Sequence, residues 1–172
     1  MKNLMKIKTT ETSQKGMIFL DDVYETFELN LNSWSQSDYI NQWKSAAKHS
    51  LDYRCVSALI KNYERPVGNV KKIDIYTIIP EEMTNPREYI FRLDAPKSFY
   101  ITESFIFITN DVNNLKNDIE FKKIYDAFGE YFPIYYFDES SMSKFYLYLS
   151  DRIEGISNWK ISEDNLKTVL KL

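Results

Sequence analysis

The sequence is poor in the residues that build most metal and phosphate sites. Its 172 residues include one histidine, His49, one cysteine, Cys55, and four glycines that are never adjacent. These counts exclude HExxH motifs, CxxC motifs and intrachain disulfides, and they leave too few ligands for a typical structural zinc site. Phosphate-binding loops need clustered glycines so that backbone N–H groups can approach the ligand. We therefore expect no metal ion and no cofactor.

The chain also lacks a charge excess and a long apolar run. Its 22 Lys+Arg against 25 Asp+Glu give a net charge of -3, which does not call for a nucleic acid or an acidic membrane as partner. No 18-residue apolar stretch and no signal peptide can be recognised. A lone cysteine is typical of a reducing compartment. The expectation is a cytoplasmic protein with no membrane contact and no direct nucleic-acid partner.

Aromatic residues are plentiful instead, at 16% of the chain, within 44% hydrophobic residues overall. A chain of this length can bury one sizeable core, so one domain is expected. Residues 1–15 are polar, rich in Thr and Lys, and aperiodic, which predicts a flexible leader. Residues 16–172 are then expected to form the single domain.

Alternating and β-branched segments predict about six strands. Residues 17–20 and 26–32 are expected to form a hairpin. Four further strands are expected at 54–60, 72–79, 87–93 and 99–109, separated by segments with proline, glycine or asparagine. Residues 131–137 are also extended in character, and Pro133 would confine them to an edge or an irregular segment.

Helical spacing predicts one early helix and two or three late ones. The early helix begins near Ser35, and apolar residues recur at i, i+3, i+4 and i+7 over 121–128, before Gly129. Another helix is predicted from about Ser141, and a short one closes the chain. The fold class predicted is α+β: a mainly antiparallel sheet of about six strands, with the early helix and the C-terminal helices packed on it.

No catalytic constellation stands out. His49 is expected on the exposed side of the early helix and Cys55 in a buried strand, so they do not form a nucleophile and base. Adjacent acids are interpreted as solvated surface, and one pair falls in the first turn of the last helix, where acids complement the helix dipole. The four pairs are Asp21-Asp22, Glu81-Glu82, Asp138-Glu139 and Glu163-Asp164. We expect a protein without enzymatic activity.

The segment 117–139 combines six acids with only two lysines, and tyrosines lie close by. Aromatic anchors beside carboxylates suit the docking of a basic partner, because the aromatics bury area and the charges steer association. Taken alone, the same residues are better explained by an ordinary helix exterior and core aromatics.

Residues 27–51, FELNLNSWSQSDYINQWKSAAKHSL, resemble the immunity proteins of bacterial contact-dependent growth inhibition systems. In that family a strand leads into a W-x3-D-Y-x2-Q-W pattern at the head of a helix. The matching residues here are Trp34, Asp38, Tyr39, Gln42 and Trp43. A second likeness is ISNWKIS at 156–162, which is similar to an I-S-x-W-x-I segment of the same group and contains Trp159.

The resemblance implies a cytoplasmic, non-enzymatic protein that binds one cognate toxin. The toxin would be the C-terminal domain of a large exported effector, commonly a nuclease, and the complex would be one-to-one. Inhibition would come from covering the toxin's active site or an adjacent surface. The alternative left open is a non-enzymatic adaptor or ligand-binding module with a docking face on its aromatic-rich sheet. The residues hypothesised to face the toxin are Glu103, Asp111, Asp118, Glu120, Tyr131, Tyr135, Tyr136, Asp138 and Glu139.

The tryptophan pattern also has a physical explanation. Ser35 suits a helix N-cap and Asp38 completes a capping box, with aspartate in place of the usual glutamate. Trp34 and Tyr39 then occupy the two positions of a hydrophobic staple, and Trp43 continues the stripe inward. Ile161, Ser162 and Leu166 repeat this spacing at the last helix. We therefore predict that the pattern is structural and that other residues contact the partner.

Overall fold

The computed structural model describes residues 3–10, 12–20, 23–84, 97–128, 134–138 and 159–172, and residues 134–138 are described by their backbone alone. These residues contain eight strands and five α-helices. The strands are β1 (Met5–Thr9), β2 (Gln14–Leu20), β3 (Val23–Glu28), β4 (Ser57–Ile60), β5 (Lys71–Pro80), β6 (Ser98–Thr109), β7 (Ile134–Asp138) and β8 (Trp159–Ser162). The helices are α1 (Gln36–Tyr53), α2 (Glu81–Thr84), α3 (Val112–Leu115), α4 (Ile119–Phe128) and α5 (Glu163–Lys167), followed by a 3-10 turn at Thr168–Lys171.

The strands form two sheets. The smaller is antiparallel, in the order β1-β2-β3. The larger has the order β4-β5-β6-β7, and β8 also pairs with β6. Strand β8 runs antiparallel along residues 98–101 of β6, whereas β7 runs parallel along residues 105–109. Because β5 occupies the whole opposite edge of β6, β7 and β8 share one edge, one after the other.

The α+β class and the mainly antiparallel pairing are confirmed, but the grouping of strands differs from the prediction. The predicted single sheet of about six strands is two sheets, because the β2–β3 hairpin pairs with β1 and not with the longer strands. The sequence predicted that residues 131–137 lie at a sheet edge or in an irregular segment. Residues 134–138 form β7, a regular strand at one end of the sheet order.

The flexible leader predicted for residues 1–15 is wrong for residues 5–9, which form β1, and for 14–15, which begin β2. Leu4 and Met5 are fully buried, and the Leu4 N–H donates to Thr168 Oγ1 at 2.8 Å. The segment looks like a leader in the sequence because, apart from Ile7, the side chains that follow Met5 up to Lys15 are polar. That composition is ordinary for an edge strand, where lysines discourage pairing with another chain.

One hydrophobic cluster joins both sheets, α1, α5 and the 3-10 turn. Phe27 of β3 sits at the junction, with its ring centroid 6.1 Å from that of Trp43 and 5.8 Å from that of Tyr76, both in edge-to-face geometry. A second, smaller cluster of Val70, Phe107 and Leu115 lies under the segment that follows β6. Ile106 and Ile108 of β6 belong to the larger cluster and Phe107 to the smaller, so the two clusters lie on opposite faces of this end of the strand.

The helices predicted over 121–128 and at the end of the chain are confirmed as α4 and α5. The strand predicted at 87–93 and the helix predicted from Ser141 lie outside the described residues. Cys55 is half-buried in the turn before β4 and not inside a strand, and His49 is half-buried and not exposed. The Cys55 thiol faces the backbone carbonyl of His49, with Sγ and O 3.8 Å apart.

Candidate partner-binding site

The first residues of the tryptophan pattern begin α1 as predicted. The Ser35 hydroxyl accepts from the Asp38 N–H, and the Asp38 carboxylate accepts from the Ser35 N–H at 2.8 Å, which makes a capping box. The Ser35 hydroxyl also donates to Asp38 Oδ2 at 2.7 Å, and this bond, followed by the one from the Ser35 N–H, holds the pKa of Asp38 below its usual range. The Trp34 and Tyr39 rings meet edge to face with their centroids 5.2 Å apart, so the staple is present.

The rest of the pattern binds backbone groups of β4 and its neighbours. Gln42 donates from Nε2 to the Ala58 carbonyl at 2.7 Å and accepts from the Ile60 N–H at 3.0 Å. Trp43 donates from Nε1 to the Ile60 carbonyl at 2.8 Å. Strand β4 lies at one edge of the larger sheet, so its outward-facing backbone groups would otherwise be unpaired. Helix α1 therefore covers this sheet edge with side-chain hydrogen bonds.

Tyr39 ties two loops to α1. Its hydroxyl donates to the Asn30 carbonyl at 2.9 Å and accepts from the Tyr63 N–H at 2.8 Å. Burial raises the pKa of this phenol, against the opposing effect of the Tyr63 and Asn30 N–H groups. Trp34 stacks on the Tyr63 ring with centroids 4.1 Å apart, and Trp159 of β8 packs against the main core. Tyr39, Gln42 and Trp43 are thus buried inside the fold, Trp34 and Trp159 are half-buried, and the capping residues Ser35 and Asp38 are exposed.

Several of the hypothesised partner-binding residues come together where β6 and β7 end. Because these strands are parallel, both finish at the same end, and Asp138 lies beside Thr109 in the register. Asp111 and Asp118 follow Thr109 in the chain. We call this region the β6 rim and define it as residues 64–70, residues 110–119 and Asp138.

Asp111 and Asp118 on the β6 rim each cap a helix. Asp111 is the N-cap of α3 and accepts from the Asn113 N–H at 2.9 Å. Asp118 accepts from the Phe121 N–H at 3.0 Å in the first turn of α4. Asp111 is exposed and Asp118 half-buried, and within the described part of the chain neither forms an ion pair. An acidic side chain at a helix N-terminus is favourable, because it complements the helix dipole.

Glu103 is separate from the β6 rim. It lies six residues before Thr109 on an extended strand, which corresponds to about 20 Å. Its carboxylate pairs with Lys61 at 2.7 Å, and the side chains are 46% and 15% exposed respectively. The Lys61 ammonium also sits 4.4 Å from the Tyr76 ring centroid. The Glu103 charge is therefore compensated internally, and no local pattern predicts this because Lys61 is 42 residues away.

Tyr76 links this cluster to the smaller sheet. Its hydroxyl donates to the Glu25 carboxylate at 2.7 Å. Burial and this hydrogen bond raise the pKa of Tyr76 far above its ordinary value, with the Glu25 and Glu103 charges acting in the same direction. The phenol thus stays protonated and serves as a fixed donor between the two sheets.

The remaining hypothesised residues are located less fully. Tyr135 and Tyr136 lie in β7, opposite Ile106 and Phe107 in the parallel register. Glu120 lies in the first turn of α4. Tyr131 and Glu139 fall outside the described residues, so their place relative to the β6 rim stays a prediction.

Exposed apolar side chains are the feature of the β6 rim that the sequence did not reveal. Val67 is 82% exposed, Val112 42% and Ile119 72%. No periodicity marks them, because Val67 lies in a loop and Val112 and Ile119 are each the first residue of a helix. The charge of the rim is mixed, since Arg65 and Lys116 lie among its acids.

Across the residues that the structure describes, no three or more His, Cys, Asp or Glu side chains are grouped so as to hold a metal ion. None of the described helices is long and apolar enough to cross a membrane.

The fold is similar to that of a chain in a solved toxin and immunity complex. The particular structure that it resembles is a chain of the CdiA-CT/CdiI toxin and immunity complex from Enterobacter cloacae. The TM-score is 0.55, the sequence identity is 17%, and the match covers 96% of this chain and 91% of that chain. At this identity the likeness concerns the fold alone. No protein-family model and no curated protein matches the sequence.

Proposed function

We propose that this protein is an immunity protein of a contact-dependent growth inhibition system, which binds and neutralises one cognate toxin domain. The observation that carries the proposal is the agreement of two independent likenesses. The fold is similar to a chain of a toxin and immunity complex over nearly its whole length. The tryptophan pattern resembles the immunity side of such systems, and its residues build the N-terminal half of α1.

The proposed mechanism is inhibition by tight binding without chemistry. The partner is the C-terminal domain of a large exported effector, a nuclease, bound one-to-one in the cytoplasm. A toxin that attacks nucleic acid presents a basic surface, so the acids of the β6 rim would steer it and speed capture. Fast capture matters because one free toxin molecule acts many times. The bound protein would cover the active site or the surface beside it.

The immunity role is favoured over the toxin role by the sequence pattern. The matching complex contains both kinds of chain, and a shared fold does not distinguish them. The W-x3-D-Y-x2-Q-W segment resembles immunity proteins. Here its residues form the start of α1 and cover the edge of β4. An adaptor or ligand-binding module remains the alternative to be tested.

A growth experiment tests the proposal. The C-terminal domain of the large exported protein encoded directly upstream is induced in a host, with or without this protein expressed from a second plasmid. We expect the toxin domain alone to stop growth and the pair to grow normally. A non-cognate immunity protein, expressed at the same level, is the control. Continued arrest in the presence of this folded protein would refute the immunity role.

A binding measurement separates direct neutralisation from indirect rescue. The purified protein and the toxin domain, inactivated in its own catalytic residue, are combined and analysed by light scattering and by surface plasmon resonance. We expect a single one-to-one complex. Rescue of growth without a complex would point to an adaptor acting through another component, and would contradict the proposed mechanism.

A further inference from the structure

The β6 rim has a rigid base. The Asn110 side-chain amide donates to the Pro66 carbonyl at 2.8 Å, which joins the loop before β5 to the segment after β6. Under this joint, Val70, Phe107 and Leu115 form their own buried cluster. Gly68, at the turn of the loop, has φ +69, a conformation that glycine adopts readily. The loop and the segment are thus held together by local packing and do not depend on a partner.

The exposed apolar side chains sit on this base. Of nine large hydrophobic residues exposed in the described structure, three belong to the rim: Val67, Val112 and Ile119. Pro66 directly precedes Val67, Asn110 lies two residues before Val112, and Pro66 and Asn110 are hydrogen-bonded to each other. Branched apolar side chains held outward on a rigid surface lose little entropy when a partner covers them. Grouped exposure of this kind is typical of interaction surfaces.

Charge around these side chains indicates the chemistry of the partner. Asp111 and Asp118 bracket the segment that carries Val112, and Asp138 lies beside Thr109. Glu64 is paired with Lys71 at 2.9 Å and Lys61 with Glu103, so these charges are compensated internally. Against the three aspartates stand Lys116 and Arg65. These three aspartates and two basic residues sum to one net negative charge when Arg65 is counted as a full positive charge. The border of the apolar group is therefore acidic.

We propose that Val67, Val112 and Ile119 form the apolar centre of the toxin-binding surface, with Asp111, Asp118 and Asp138 as its acidic border. This inference rests on the proposed function and names the contact surface for it. The complementary surface of the toxin domain would be an apolar patch next to lysine or arginine side chains. The apolar centre holds the complex together, while the acids steer association, because buried apolar contacts slow dissociation and border charges act on the association rate.

The test compares substitutions on and off the rim. Ile119→Ser, Val67→Ser and the double variant are measured for association and dissociation with the catalytically inactivated toxin domain. Val23→Ser is the matched control, because Val23 is 55% exposed but belongs to the β2–β3 hairpin. We expect each rim variant to dissociate about tenfold faster with little change in association rate. The control should dissociate like the wild type.

The outcomes are distinguishable. Circular dichroism melts of all variants should match the wild type, because the replaced side chains are exposed, and any variant with a lowered melting point is replaced by the corresponding Thr variant. A toxin complex whose dissociation is unchanged in the double variant overturns the inference but leaves the immunity role intact. Absence of any wild-type complex overturns the immunity role itself. If the protein alone dimerises and Ile119→Ser abolishes only the dimer, the occupant is a second copy and the inference is wrong.

Discussion

Single side chains of the tryptophan pattern stabilise the fold through backbone groups far away in the sequence. Trp43 is fully buried and donates to the Ile60 carbonyl 17 residues away, while its indole ring meets Phe27 and Tyr39. Its role is therefore packing combined with one buried hydrogen bond. A residue placed in this way contributes to partner binding only by keeping the fold intact.

Trp43→Ala should lower the free energy of unfolding by about 3–5 kcal/mol, the usual cost of removing a large buried aromatic side chain. Chemical denaturation followed by circular dichroism measures it. The exposed neighbour Lys48→Ala is the control and should stay within about 0.5 kcal/mol of the wild type. Unchanged stability of Trp43→Ala with lost toxin binding would contradict the structural role.

Gly16→Ala should also destabilise the protein, because the fold leaves no room for a Cβ atom at this position. A Cβ at Gly16 would lie 2.2 Å from Cε2 and Cζ of Phe27, whose ring is held between Trp43 and Tyr76. We expect a loss of about 1–3 kcal/mol in unfolding free energy, as for other overpacked cores. Adding Phe27→Leu to the variant should recover part of this loss; a larger loss in the double variant would show that the ring is not the obstacle.

At the scale of elements, α1 has two separate functions in the fold. Its first turn is closed by Ser35 and Asp38, which depends only on local sequence. Its inner face covers the free edge of β4 through Gln42 and Trp43, which depends on two segments meeting. The first function can be tested by removing the N-cap side chain, and the second by removing a side chain that covers the strand edge.

Ser35→Ala should lower the unfolding free energy by about 1 kcal/mol near neutral pH, the typical value of an N-cap. The Asp38 pKa, low in the wild type, should rise in the variant because its main hydrogen bond is lost. A depressed folded-state pKa stabilises the protein above the unfolded-state value and ceases to do so as pH falls through the folded-state value. The difference between variant and wild type should therefore shrink in acid, as NMR titration and denaturation can show. Ser37→Ala is the control.

Gln42→Leu should cost about 2 kcal/mol or more, because it leaves the Ala58 carbonyl and the Ile60 N–H buried without their partner. The uncovered β4 edge should also make the variant aggregate more readily on heating. Asn41→Leu, on the exposed side of the same helix turn, makes the same chemical change without uncovering the strand. Equal melting points for the two variants would mean that Gln42 does not protect the edge.

For the whole molecule, long-range pairing sets the shape and brings the acids of the rim together. The parallel alignment of β7 with β6 places Asp138 beside Thr109, although 29 positions separate them in the sequence. The Leu4 N–H and Thr168 Oγ1 meet across 164 positions. Neither contact has a local cause.

Reversing the charges of Asp138 and Glu139 to lysine should slow association with the toxin domain, most strongly at low salt, because steering is screened by ions. Stopped-flow association at two ionic strengths measures the effect. The acid pair Glu163 and Asp164, which lies in the first turn of α5, provides a control with the same change in net charge. If both pairs slow association equally, overall charge and not the β6 rim guides the encounter.

The sequence by itself determined what depends on neighbours within about one helical turn. Ser35 with Asp38, Ser162 at the start of α5, and the apolar spacing of α4 each define a local structure, and all were correctly predicted. The tertiary structure alone decided which strands pair and which charges are compensated. Residues 5–9 form a strand because β2 offers an edge, and the Glu103 charge is compensated because Lys61 lies beside it. Such contacts depend on chain closure over tens of residues, and a single sequence carries no local signal for them.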